Sequence, residues 1–117
     1  MQFELLLDIK IDIFINLRCD SFLLQLPDAL DDAKSRVKSY EKLKVDGLFF
    51  PRMSEINDIK VLTQLTKLPI NVMYALDLPN FETLKALNIK RISMGNFFNK
   101  HIYAQLEKSA ELFIKQL

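Results

Sequence analysis

The chain has 117 residues, 50% of them hydrophobic and 26% charged, an ordinary globular composition that excludes a disordered tail and bounds the sequence 1–117 to a single domain. Sixteen Lys and Arg face fifteen Asp and Glu, and a net charge of +1 with no basic cluster excludes a nucleic-acid footprint. No apolar run approaches the roughly 18 residues of a membrane span, and the first residues lack the basic region of a signal peptide, so no membrane partner is expected and the expected compartment is the cytoplasm.

Residues 2–9 read as the end of an earlier helix or a lead-in. The run 11–18 (IDIFINLR) is rich in β-branched and aromatic residues and ends in polar groups. Three further short apolar runs follow: 47–50 (GLFF) stopped by Pro51, 70–73 (INVM) entered through Pro69, and 91–94 (RISM) stopped by Gly95. Runs this short and apolar suit buried parallel strands.

Helical stretches lie between them. Residues 28–44 place Leu30, Ala33, Val37 and Tyr40 on one face. Asp28, Asp31 and Asp32 stand at the start and Lys38, Lys42 and Lys44 at the end, matching the helix dipole, and Pro27 leads into the first turn. Ser54 is the expected cap of a second helix running to about Lys67, with Ile56, Ile59, Leu62 and Leu65 buried. Asn80 is the expected cap of a third, through Leu87, with Asn88 as its stop. Asn96 is the expected cap of the last, where Ile102, Leu106, Ala110, Phe113 and Leu117 share an apolar face.

Strand–helix alternation with short links calls for a parallel sheet with right-handed crossovers. Two architectures fit: an open α/β sheet and a piece of a (β/α) barrel. Only Gly47 and Gly95 are glycines, so neither the G-x-G-x-x-G fingerprint nor a Walker loop is present. One cysteine, Cys19, excludes an internal disulfide and a Cys-based zinc site, and one histidine, His101, excludes sites needing two. Cys19 reads as a small buried residue and His101 as a surface or partly buried helical one.

Five strings, in order, resemble the isocitrate lyase/phosphoenolpyruvate mutase superfamily. FINLRCDSFLL at 14–24 is similar to the family's "INARTDxFL", and the helix from Asp28 to Tyr40 to its "EDAIERAKAY". VDGLFFP at 45–51 is similar to "ADGIFVPG", LPINVM at 68–73 to "PLNVM", and LNIKRISMG at 87–95 to "LGVARVSLG". The match covers about residues 11–117. It implies half of a (β/α)8 TIM barrel, four parallel strands alternating with helices, corresponding to strands five to eight; a whole barrel needs about 250 residues.

The resemblance also implies function: lyase or mutase chemistry on a C–C or C–P bond, through an enolate of a small 2-oxo or 2-hydroxy carboxylate. Mg2+ is the implied cofactor, but its aspartates and the gating loop with its active cysteine belong to the first half, so no metal ligand is expected here. Arg18, at the end of the first strand, matches an arginine that binds the substrate carboxylate or phosphonate; a structural pairing with Asp20 is the alternative. Asn71 matches an asparagine of the substrate pocket, and Asn16 shares Arg18's side of its strand, with a structural role expected. Arg52 stands where family lyases carry glutamate and many members glycine, which suits a rim charge or an anionic ligand.

Residues 74–78 replace a glycine-rich loop, which predicts a stiffer, bulkier rim, and 93–96 lead into a helix start whose free N–H groups suit an anion, with an ordinary Asn cap as the preferred reading. Four β/α units leave one sheet face uncovered, with Phe49, Val72 and Ile92 expected at or near it, depending on register. The expected partners are a second copy, whose two-fold pairing is the simplest closure, or a first half. The alternative function is a catalytically inactive, truncated or divergent half-barrel that self-associates.

Overall fold

The computed structural model describes residues 12–117. The lead-in expected at 2–9 lies outside them. The elements run β1 (Asn16–Arg18), α1 (Ala29–Glu41), β2 (Gly47–Phe50), α2 (Ile56–Leu65), β3 (Ile70–Met73), α3 (Phe81–Ala86), β4 (Arg91–Ser93) and α4 (Phe97–Lys115). All three strand pairings are parallel, and spatial order equals chain order, β1-β2-β3-β4. A doubly wound sheet reverses its order around a central cleft. This one never reverses, which is how successive barrel strands lie.

Strand parity divides the side chains. Leu48 and Phe50 of β2 and Ile70 and Val72 of β3 turn to the helix-covered side, each at most 1% exposed. They pack with Ala33 and Val37 of α1, Ile59 and Leu62 of α2, and Leu84 of α3. Removing each large side chain from water contributes about 1.5–3 kcal/mol, which holds the helices to one side of the sheet. The other parity — Asn16, Arg18, Gly47, Phe49, Asn71, Met73, Arg91 and Ser93 by register — forms a second face with no helix over it among the described residues. Phe49 stands there as expected. Val72 does not: it is fully buried beneath the helices, and Ile92, its register partner, shares that side. The all-apolar string INVM hides its parity, and the pairing decides it.

Several local expectations shift. β1 begins at Asn16, because the carbonyl of Ile15 instead accepts the amides of Asp46 and Gly47. α1 ends at Glu41, leaving Lys42 as its C-cap and Lys44 beyond it. Glu55, not Ser54, occupies the N-cap position of α2, and its side chain makes no capping bond. Ile56 is half exposed because it precedes the buried stripe. Asn80 caps α3 as expected, its Oδ1 accepting the Thr83 amide at 2.9 Å. Asn88, at φ +67°, ends that helix in the left-handed conformation asparagine tolerates.

α4 departs most. Its apolar stripe exists, but Ile102, Leu106 and Phe113 are all more than 60% exposed, and no residue of the helix is buried. It extends away from the sheet, giving a radius of gyration of 18.1 Å where a compact chain of this length has roughly 13 Å.

Candidate functional site

Arg18 ends β1, so its side chain stands on the uncovered face at the strands' C-terminal ends. Its Nε donates to Asp20 Oδ1 at 2.5 Å, and the guanidinium lies 5.9 Å from the centre of the Phe49 ring. This is the pairing expected as the structural alternative, yet it uses only one edge of the fork. About half of the side chain stays exposed at the rim. The pair and the ring hold the cation's direction without covering it.

Asn71 is in register with Phe49 on β2 and Arg91 on β4. Its Nδ2 donates to Ser93 Oγ at 3.4 Å, while that hydroxyl donates to the Val72 carbonyl at 3.5 Å. Asn71 Oδ1 is left buried with no hydrogen-bond partner among the described residues, and so is Asn16 Oδ1, one layer nearer the N-terminal ends of the strands. Two buried acceptors without donors cost free energy unless something closes over the face.

Beneath Arg18, Gly47 makes room for Phe14. A Cβ at Gly47 would lie 3.0 Å from the Phe14 ring and 3.1 Å from Asn16 Oδ1. The Arg91 guanidinium reaches back from β4 and lies 4.7 Å from the centre of that ring. Arg91 was not singled out in the sequence. Its alternation with Ser93 was readable, but its place beside Asn71 needs the β3–β4 register.

Arg52 lies elsewhere. It follows Pro51 at φ +70°, exposed, and lines a depression of about 810 Å3 with Met73, Tyr74, Asp77, Lys100 and His101. Arg18, Asn16 and Asn71 do not line it. The left-handed backbone here accounts for the glycine that the resemblance gives many family members. The segment at 74–78 turns over this depression, its Leu78 amide donating to the Ala75 carbonyl, with Tyr74 edge-on to Phe97 at 4.7 Å. Gly95 turns the chain into α4 at φ +54°, where a Cβ would meet Met73 Sδ at 2.8 Å. Asn96 holds the N-cap position without a side-chain bond, because the turn closes through the Phe97 amide on the Met94 carbonyl. His101 is exposed and stacks on Phe97.

Cys19 is buried, 3.2 Å from Ser21 Oγ. Ser21 in turn donates to Asp32 Oδ2 at 2.5 Å, and Arg36 Nε donates to the same oxygen at 2.7 Å. The Ser21 bond first, then Arg36, holds the Asp32 carboxyl below its ordinary range. This chain anchors the loop after β1 to α1.

Among the described residues, no three His, Cys, Asp or Glu side chains converge to hold a metal. No helix is long and apolar enough to cross a membrane.

The sequential parallel sheet, with helices on one side and a polar face on the other, is that of part of a (β/α) barrel. The family of phosphoenolpyruvate phosphomutases matches residues 6–114, and the chain belongs to that family. A crystal structure from Burkholderia cenocepacia J2315, assigned as a phosphonomutase, is 31% identical with a TM-score of 0.72 and covers 93% of this chain and 44% of its own. A second from the same organism, assigned as a lyase/mutase, has a TM-score of 0.83 at 24% identity, covers 94% of this chain and 42% of its own, and supports the fold. This chain therefore spans less than half the length of either solved structure, and the fold is half of a TIM barrel. A search of curated proteins finds no match. The family generally uses Mg2+, but the described residues offer no donor set for it.

Proposed function

We propose that this chain is the C-terminal part of an isocitrate lyase/phosphoenolpyruvate mutase-like enzyme, acting on the C–C or C–P bond of a small 2-oxo or 2-hydroxy carboxylate. The observation carrying this reading is Arg18, presented at the barrel's C-terminal rim with one edge braced by Asp20 and the other free. A planar guanidinium so held suits a carboxylate or phosphonate, two oxygens to two N–H groups. Asn71 is the second binding residue: its remaining amide hydrogen can donate to a substrate oxygen. Asn16 supports that layer from below. Arg52 belongs to the rim rather than to the carboxylate site. In the family Mg2+ stabilises the enolate; that task falls to residues beyond those described, and this chain supplies substrate binding. Residues 1–117 act as one domain.

A second reading is a catalytically inactive half-barrel. It is favoured by the absence of a metal-holding cluster among the described residues and by Arg52 where family lyases carry glutamate.

The test combines the chain with a recombinant segment carrying the part of the Burkholderia phosphonomutase outside the match, and follows magnesium-dependent turnover of oxaloacetate and phosphonopyruvate. The expected result is turnover only in the mixture, with Arg18→Ala lowering kcat/KM by roughly ten- to a hundredfold, the value of a charge-assisted pair. Unchanged kinetics would remove Arg18 from the site. Turnover by the chain alone would overturn the view that it is incomplete, and none under any condition would leave the inactive reading.

A further inference from the structure

The depression beside Arg52 is larger than the chemistry assigned to Arg18 requires. Its volume is about 810 Å3. Clefts of roughly 300–1,000 Å3 hold drug-sized ligands, and a small 2-oxo acid would leave most of this one empty. Neither Arg18 nor Asn71 lines it.

Two kinds of group meet there. One is aromatic and soft. Tyr74 stands edge-on to Phe97 at 4.7 Å, the His101 imidazole stacks nearly parallel to Phe97 at 6.0 Å, and Met73 and Met94 add thioethers to the lining. Rings and methionines of this kind suit a planar or apolar body. The other is cationic. Arg52 and Lys100 are exposed in the lining, against Asp77 as its one carboxylate. The ion pairs among the described residues join Arg18 to Asp20 and Arg36 to Asp32, so Arg52 and Lys100 have no acid partner there. Arg52 also stands at φ +70°, which glycine adopts without strain. Backbone strain that persists is concentrated at ligand sites.

We infer that this depression is a binding site of its own, for an amphiphilic organic anion: an oxyanion group held by Arg52 and Lys100, on an aromatic or apolar body lying against Phe97, Tyr74 and the two methionines. The site goes beyond the function proposed above. Every residue it uses belongs to this chain, so it does not wait on a completed barrel.

The experiment uses the whole chain. His101 is its one histidine, so the imidazole proton resonances report on the Phe97 wall without ambiguity. They are followed while naphthyl phosphate, inorganic phosphate or uncharged naphthalenemethanol is titrated in. The expected result is a saturable shift with naphthyl phosphate, at concentrations where the other two leave the resonances in place. Arg52→Gly, which keeps the left-handed turn, should weaken binding about tenfold or more, the loss of a charge-assisted bond, and Lys100→Gln by about two- to fivefold. Arg18→Ala should leave it unchanged.

No shift with naphthyl phosphate would overturn the site. An equal response to inorganic phosphate would overturn the apolar subsite, and an equal response to the uncharged compound would overturn the anion subsite. Binding indifferent to Arg52→Gly, in a variant with unchanged circular dichroism, would also overturn it, as would binding lost in Arg18→Ala. The functional reading is decided separately, by turnover in the mixture.

Discussion

Arg52 and Asp32 show how single residues trade local cost for position. At φ +70° an arginine sits where a Cβ crowds the following carbonyl, a cost of roughly 1–2 kcal/mol that glycine avoids while losing some chain entropy. Arg52→Gly is therefore expected to raise unfolding stability by up to about 1 kcal/mol, read from a denaturant midpoint. A fall would mean that the side chain itself holds the turn. Asp32 works through charge. Its carboxyl is held below the ordinary range by Ser21 and then Arg36, so its contribution is complete above that range and disappears as pH falls through the lowered value. Asp32→Asn should lower the melting temperature at neutral pH, and the gap to wild type should close in acid. Asp58, raised by burial and by Glu55, titrates in both proteins and drops out of the difference. A gap that persisted in acid would assign the effect to packing. At this scale the sequence was partly readable. Arg18 and Asn71 stood out because they match binding residues of the resembled family, Arg18 also by its place at a strand end. Arg91 did not, because its neighbours are set by a register that no single strand carries.

The elements were legible as elements, since β-branched runs and three-four spacing follow from local chemistry. Their surroundings were less so. The stripe on α4 was visible, but amphipathicity says which face is apolar and not what lies against it. The cap of α2 fell at Glu55 although Ser54 is the better capping type, because packing of Ile59 and Leu62 sets where that helix starts. The exposure of α4 leads to a sharp expectation. Removing residues 99–117 keeps the Phe97 contact with Tyr74 and should change the unfolding free energy of the remaining unit by no more than about 0.5 kcal/mol, as for other exposed positions. A larger loss in urea titration would show that α4 docks in solution on this unit or on another copy.

For the whole molecule, strand order carries the argument. Four parallel strands in sequential order, helices on one side and a polar inner face on the other, make a surface that is finished only by more strands. That much followed from the alternation of runs and from the five family-like strings. The assignment of Val72 to the open face did not survive, because strand parity is a property of the sheet. The two buried acceptors, Asn16 Oδ1 and Asn71 Oδ1, mark the same incompleteness from inside.

The strand lengths have one further consequence. The outermost strands, β1 and β4, have three residues each, and the central two have four. A bare ladder edge is a template for runaway stacking, and its hazard grows with its length. With so few free amides and carbonyls at either margin, haphazard end-on growth into fibrils gains little per contact. Margins this brief favour a chain that stays dispersed until a matching surface arrives.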